Sequence, residues 1–300
     1  MVENLETFDS CPICSSRALI SLGRKKTINK NSNLEVSIIK CNECLHWHTN
    51  PSPNQNLLYK LYKEESPYVI GMKSWAKLTT TKKLDGKLVP DKNWIVRELK
   101  NKNIGNFLEV GCGSGELLNK MKTLGWKSYG TDPGTYATSN NVFESHDKLP
   151  DNVKFDVIVF KDVMEHCLSP NDMLNEYKKY LKINAILFLC VPWSESKAAN
   201  KRKLNWEMVK PIGHLHYFSK KSAEILLKKN NFKIEKTTTR NFYRNYYFSL
   251  FTNFAKILYL CFRPTKWWLL TQRLDKLKTM ILLFPGDKYG DQLYIVAKKF

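Results

Sequence analysis

Apolar and polar positions along this chain fall into three regimes. Between residues 18 and 40, A-L-I-S-L-G-R and L-E-V-S-I-I-K alternate in strand fashion around the turn-rich N-K-N-S-N, which predicts a β-hairpin. From 51 to 100 the spacing turns helical. Leu57, Leu58, Leu61 and Tyr62 mark one helix, and Trp94, Ile95 and Leu99 line one side of a second, over 91–100. From residue 106 short apolar runs alternate with amphipathic ones. F-L-E-V (107–110), K-S-Y-G-T-D (127–132), K-F-D-V-I-V-F (154–160), A-I-L-F-L-C-V-P (185–192) and D-Q-L-Y-I-V-A-K-K (291–299) predict strands. Residues 116–124, 169–182 and 219–232 predict helices. The second of these has Ser169 as its cap, Pro170 as its first residue, and Met173, Leu174, Tyr177 and Leu181 as its apolar stripe. Alternation of this kind specifies an α/β domain with a parallel sheet covered on both faces.

The cysteines change the picture at the N-terminus. Of eight, four stand as Cys11/Cys14 and Cys41/Cys44, two C-x-x-C pairs with 26 residues between them. The predicted hairpin brings the pairs together. Two tight turns presenting four thiolates make a tetrahedral cage without an open position, the spacing of a structural zinc ribbon, with iron as the second candidate. His46 and His48 are spare donors, expected to face solvent or to support the cage. The other cysteines are scattered, which suggests reduced thiols and a cytosolic protein. The first residues carry no signal-peptide pattern, and no run reaches the ~20 apolar residues of a membrane-spanning helix.

The candidate chemistry centres on F-L-E-V-G-C-G-S-G-E-L-L, residues 107–118. A strand, a glycine turn and a helix put backbone N–H groups and the positive helix end at one point. Gly111, Gly113 and Gly115 let a ligand approach the main chain. The third glycine comes one residue earlier than in the dinucleotide fingerprint, and Glu116 takes its place. With Glu109 just before the turn, a pyrophosphate would meet carboxylates, whereas a cationic amine is matched. Asp132, 21 residues after Gly111, is placed to accept hydrogen bonds from ribose hydroxyls. A nucleoside with a positive tail and no phosphate fits, and S-adenosylmethionine (SAM) has that description.

E-V-G-C-G-S-G resembles the first motif of the class I SAM-dependent methyltransferases. Y-G-T-D-P resembles their acidic second motif, F-D-V-I-V-F-K-D-V-M-E-H-C their fourth strand and following turn, and L-F-L-C-V-P-W their fifth strand. H-L-H-Y-F-S, followed by a helix and N-N-F, resembles the stretch before the sixth. The resemblance implies a Rossmann-like seven-stranded sheet over 105–300, preceded by a zinc ribbon (1–50) and a helical linker (51–104). It implies that Glu109, Gly111, Cys112, Gly113 and Gly115 surround the methionine part of SAM and that Asp132 holds the ribose. Asp147 is placed near adenine, and Lys161 and Asp162 face the gap between cofactor and substrate. His166, after strand four, and His214, after strand five, are candidate bases. Glu165 is either an acid–base partner of His166 or a cap of its turn, and His216 and Tyr217 compete with His214 for the site. Trp193 is a candidate wall of the acceptor pocket. A ribbon ahead of such a domain resembles enzymes that methylate sugars in surface-polysaccharide and natural-product biosynthesis, which favours O-methylation of a glycan or related small molecule. RNA or protein methylation, and a non-catalytic binding module, are the alternatives.

Charge adds a question about partners. Lys and Arg number 48 against 28 Asp and Glu, a formal charge of +20, which reflects either anionic partners or compositional drift. The stretch 240–286 concentrates basic and aromatic residues with Asp275 its single acid up to residue 284. It reads as a helical insert before the last strand: a cap or lid, a dimer surface, or a contact with an anionic bilayer from the cytoplasmic side. Nucleic acid is the disfavoured partner.

Overall fold

The computed structural model describes residues 5–26, 35–58, 93–134, 141–211, 213–240 and 291–300. Residues 55–58 are helical, where Leu57 and Leu58 predict a helix; Leu61, Tyr62 and nearly all of the basic aromatic insert lie outside the described residues.

The central element is a seven-stranded sheet. Its parallel part runs β8 (Val142–Phe143), β7 (Lys127–Thr131), β6 (Asn106–Val110), β9 (Phe155–Lys161) and β10 (Leu181–Pro192). β13 (Gln292–Lys299) then adds antiparallel to β10, and β12 (Phe232–Arg240) antiparallel to β13. Alternate residues supply opposite faces. Phe107, Val157, Val159, Phe188, Tyr294 and Val296 pack with Trp94, Ile95 and Leu99 of α1 (Asn93–Leu99) and with Leu117, Leu118 and Met121 of α2 (Glu116–Thr123). Leu108, Ile158, Phe160, Leu187, Leu189 and Ile295 face the other way, against Leu174 and Tyr177 of α3 (Pro170–Lys178) and Ala223, Leu226 and Leu227 of α5 (Lys220–Lys229). This is the two-sided burial that the unbroken apolar strands require.

Local signals set the helix ends. The Ser169 hydroxyl accepts from the Asp172 N–H, with Pro170 in the first turn, and Ser219 and Ser222 form a reciprocal capping box on α5. The helix predicted over 169–182 stops at Lys178. Leu181 is drawn into the sheet beside Phe155, and an irregularity follows before Ile186 meets Val157. Asn184 takes φ 62° in that irregularity, and Ile183 projects into solvent at 79% exposure.

The predicted hairpin is β2 (Leu19–Lys26) with β3 (Glu35–Cys41), antiparallel. β4 (Trp47–Asn50) extends it, and β11 (His216–Tyr217) completes a four-stranded sheet. β11 comes from the segment after β10, so a strand from the C-terminal half of the chain completes the N-terminal sheet. A small core of Ile38, Trp47, Ala199 of α4 (Lys197–Arg202), Trp206, Met208, Val209 and Tyr217 seals that seam; β1 (Leu5–Glu6) and β5 (Ser52–Pro53) form a separate antiparallel pair. His46 and His48, for which solvent exposure was one expectation, are buried in the seam at 0% and 1% exposure. His48 pairs with His216 across the β4–β11 ladder, and His46 Nε2 lies 3.1 Å from His216 Nδ1. Among the described residues no helix is long and apolar enough to cross a membrane.

Candidate functional site

The glycine turn follows β6 at the carboxyl edge of the parallel strands, where sites form in open α/β sheets. The N–H groups of Gly111 and Cys112 both donate to Thr131 O, at 2.7 and 3.1 Å, and tie the turn to β7. Gly111 has φ 65°, and a β-carbon there would stand 2.5 Å from Val163 Cγ2. Gly113 has φ 53°, but a β-carbon there would meet nothing within 4 Å among the described residues. Both positions need left-handed backbone, and Gly111 is demanded by packing as well. Gly115 caps α2. Glu109 is buried in β6 below the turn, at 2% exposure. Cys112 points its side chain into the core. Gly130, which the motif reading passed over, explains that packing. A β-carbon on it would lie 2.6 Å from both Cys112 Sγ and Leu118 Cδ1, so α2 can seat on the sheet only over a bare strand position. A glycine inside an apolar strand was the available signal.

Asp132 stands across the turn. Its Oδ2 accepts from the Gly113 N–H and its Oδ1 from the Gly134 N–H, each at 2.8 Å. Burial pushes its carboxyl pKa up, and the two backbone donors oppose the rise. Asp132 therefore braces the turn as well as facing its open side, and each oxygen keeps a lone pair for a further donor. Asp147 is not drawn into this group. Its side chain, 57% exposed, engages Ser145 and pairs with Lys148 at 3.5 Å.

A second polar cluster closes the end of β9. Lys161 Nζ contacts Asp162 Oδ2, and Asp162 adopts φ 56°. Asp162 Oδ1 accepts from Gln292 Nε2 at 2.8 Å, and Gln292 Oε1 accepts from the Tyr294 hydroxyl at 2.9 Å. Gln292 and Tyr294 belong to β13, 130 residues and more further along, and nothing in their local sequence marks them.

Glu165, His166 and His214 do converge, with one ligand atom of each within 4.8 Å of the others. The His166 and His214 ring centroids are 4.8 Å apart at 78°. His166 Nδ1 lies 2.6 Å from Gly213 O and His214 Nδ1 2.7 Å from Met208 O. A carbonyl only accepts, so both rings carry their proton on Nδ1 and a lone pair on Nε2. Burial holds both histidines neutral, His166 down to about 4 and His214 well below its usual value. Burial, reinforced by Asp162, pushes the Glu165 carboxyl well up. His216 belongs instead to the seam with His46, and Tyr217 donates its hydroxyl to His214 O at 2.9 Å. Trp193 is 9% exposed, donates to Glu195 at 3.2 Å and lies under Lys220 Nζ.

The four N-terminal cysteines form one cluster. Cys11 and Cys44 sulfurs are 3.5 Å apart, Cys14 and Cys41 sulfurs 3.6 Å. Four thiolates about 2.3 Å from a tetrahedral ion stand about 3.8 Å apart, so the donor set fits zinc. Both turns close alike: Ser15 N–H donates to Cys11 O and Leu45 N–H to Cys41 O, with φ of 62° and 60° at Ser15 and Leu45. The cluster reaches the large domain through backbone. Cys44 O accepts from the Ser219 hydroxyl, and Leu45 O accepts from Ser194 Oγ at 3.1 Å. Thr49 Oγ1 donates to His214 O at 3.1 Å, and Thr49 N–H to Leu215 O at 2.9 Å.

Known proteins resemble this chain in sequence and in fold. Residues 89–237 match the family model described as a methyltransferase domain. The ubiquinone biosynthesis O-methyltransferase of Pelagibacter ubique (strain HTCC1062) is 30% identical over 161 residues, covering 47% of this chain. The chain spans 66% of the length of that curated relative. Among solved structures, phosphoethanolamine N-methyltransferase 2 of Haemonchus contortus, in complex with SAM, superposes with a TM-score of 0.50 at 13% identity, over 93% of this chain and 71% of that one.

Proposed function

We propose that this chain, whose residues 89–237 match the model of a methyltransferase domain, is a SAM-dependent methyltransferase that moves the methyl group of SAM to a hydroxyl of a sugar, glycan or related small molecule. The observation that carries the reading is the glycine turn, bare toward one side at Gly113 and braced by Asp132. SAM lies along Gly111–Gly115 with its ribose hydroxyls donating to Asp132 and its amine toward Glu109. Lys161 and Asp162 border the gap between cofactor and acceptor. The acceptor hydroxyl is received at Glu165, His166 and His214, at the adjacent carboxyl ends of β9 and β10. Methyl transfer needs the attacking oxygen in line with the sulfonium carbon and water kept out, so alignment is the main task of these residues.

The four N-terminal cysteines hold a structural zinc. A closed tetrahedral thiolate site supplies no open position for chemistry. Its effect is to fix β4, and through Thr49 the segment that carries His214. The insert 240–286 contacts an anionic membrane surface from the cytoplasmic side, a reading supported by its basic and aromatic composition. Asp147 serves adenine only if its exposed segment closes over the nucleoside.

Calorimetric titration with SAM tests the cofactor reading. Micromolar binding that Asp132→Ala abolishes supports it, and absent binding to the parent chain refutes it. An acceptor panel of nucleotide sugars, free sugars and phenols, scored by release of S-adenosylhomocysteine, tests the acceptor class. Methylation confined to the phenols would refute the glycan assignment.

A further inference from the structure

Glu165, His166 and His214 have a donor set that alignment of an acceptor does not require. Among the described residues they and the cysteine cluster are the two groups of such side chains close enough to share one ion. Glu165 is 1% exposed, and its Oε2 has no hydrogen-bond partner among the described residues. Its Oε1 lies 3.8 Å from His166 Nε2. A buried carboxyl oxygen without a partner is costly, and a cation that replaces the carboxyl proton completes it. Gly213 O and Met208 O hold the Nδ1 protons of the two imidazoles, which makes Nε2 the ligating nitrogen of each. Fixing a ring by a carbonyl on its far nitrogen is how proteins orient metal-ligating histidines.

From this geometry we propose that Glu165, His166 and His214 bind a divalent transition cation, and that its open positions take the acceptor oxygen. Two imidazoles and one carboxylate are the three-ligand set of catalytic zinc and of related open metal sites. Ligand atoms about 2.1 Å from an ion stand roughly 3–4 Å apart, and the trio's ligand atoms lie within 4.8 Å of one another, so its widest separation closes by roughly 1–2 Å on binding. The fixed charges whose fields reach Glu165 are Asp162, Lys161 and Lys210. Lys161 is paired with Asp162, which leaves Lys210 as the opposing charge and Glu165 as the ion's counter-charge. The ribbon differs in kind: four sulfurs, closed, on the far side of the seam.

The acceptor role rests on the methyl-transfer reading, whereas cation binding does not. In that role the bound hydroxyl releases its proton to water. The oxygen pair forms the bond to the methyl carbon as the carbon–sulfur bond breaks, and the electron pair stays on sulfur as a neutral thioether.

The probe is cobalt(II) titrated into the chelator-stripped full chain. The parent protein takes up two equivalents, one with the thiolate charge-transfer band of the ribbon and one without it. His214→Ala and Glu165→Gln each take up one, keep the thiolate band and a cooperative melt, and bind SAM within threefold of the parent. Azide, which fills open coordination positions, shifts the visible absorption of the second equivalent and not the thiolate band. A single equivalent in the parent, or a second equivalent retained by both variants, overturns the site. A second equivalent blind to azide overturns its open positions. Failure of the parent to bind SAM leaves the metal count standing and refutes the methyl-transfer reading instead.

Discussion

Replacing Gly113 with alanine separates the two demands placed on the turn. At φ 53° a β-carbon costs roughly 1–2 kcal/mol in backbone energy, and with nothing within 4 Å of it among the described residues no packing penalty is added by them. The thermal midpoint then falls by about 2–4 °C per kcal/mol. The same β-carbon enters the open side of the turn, where the methionine part of SAM is placed. Affinity for SAM should fall at least about a hundredfold, equivalent to about 2.7 kcal/mol. Gly111→Ala is the control with the opposite balance. It carries a similar backbone cost at φ 65°, and its β-carbon stands 2.5 Å from Val163 Cγ2, which adds about 1–3 kcal/mol of overpacking. Melting curves and calorimetric titration on both variants give two independent orders: Gly111→Ala the less stable, Gly113→Ala crippled in binding while still folded. If Gly113→Ala binds SAM within threefold of the parent, the cofactor does not lie on this turn.

Three further outcomes follow from particular contacts. Thr49→Val removes the 3.1 Å hydrogen bond to His214 O while Tyr217 keeps its own; stability should drop by about 1 kcal/mol and turnover by about tenfold, and unchanged turnover would show that β4 does not hold the His214 segment. Gln292→Leu strips Asp162 of a 2.8 Å donor and should weaken SAM binding about tenfold without moving the melting midpoint by more than a few degrees; equal affinity by titration would count against a role for Asp162 at the gap. Burial holds His48 down to about 3 in the folded protein, so it contributes stability above its unfolded value near 6.5 that is lost as pH falls toward 3, at up to about 1.4 kcal/mol per pH unit. Urea midpoints between pH 7 and 5 should show that slope reduced by this amount in His48→Phe, and parallel curves would refute it.

Much of the architecture was readable from residues acting on their immediate neighbours. Strands β6, β7, β9 and β13 announce themselves as short apolar runs because each is buried on one or both faces. Ser169 and Ser219 cap helices through bonds that reach three residues along. The glycine turn needs φ values that side chains disfavour, and paired cysteines form tight turns whose geometry is local. Such features are determined within a few residues, so a linear pattern carries them.

The rest depended on distance in space. The overrun of the 169–182 helix was decided by the ladder that takes Leu181. Asp162 acquires Gln292 only because β13 inserts between β10 and β12. The seam in which His216 pairs opposite His48 joins strands separated by most of the chain. His214 was visible as a candidate, but not the Met208 carbonyl that sets its tautomer, nor its approach to Glu165 and His166. A buried polar group must find a partner wherever packing offers one, and the order of residues along the chain does not say where that is.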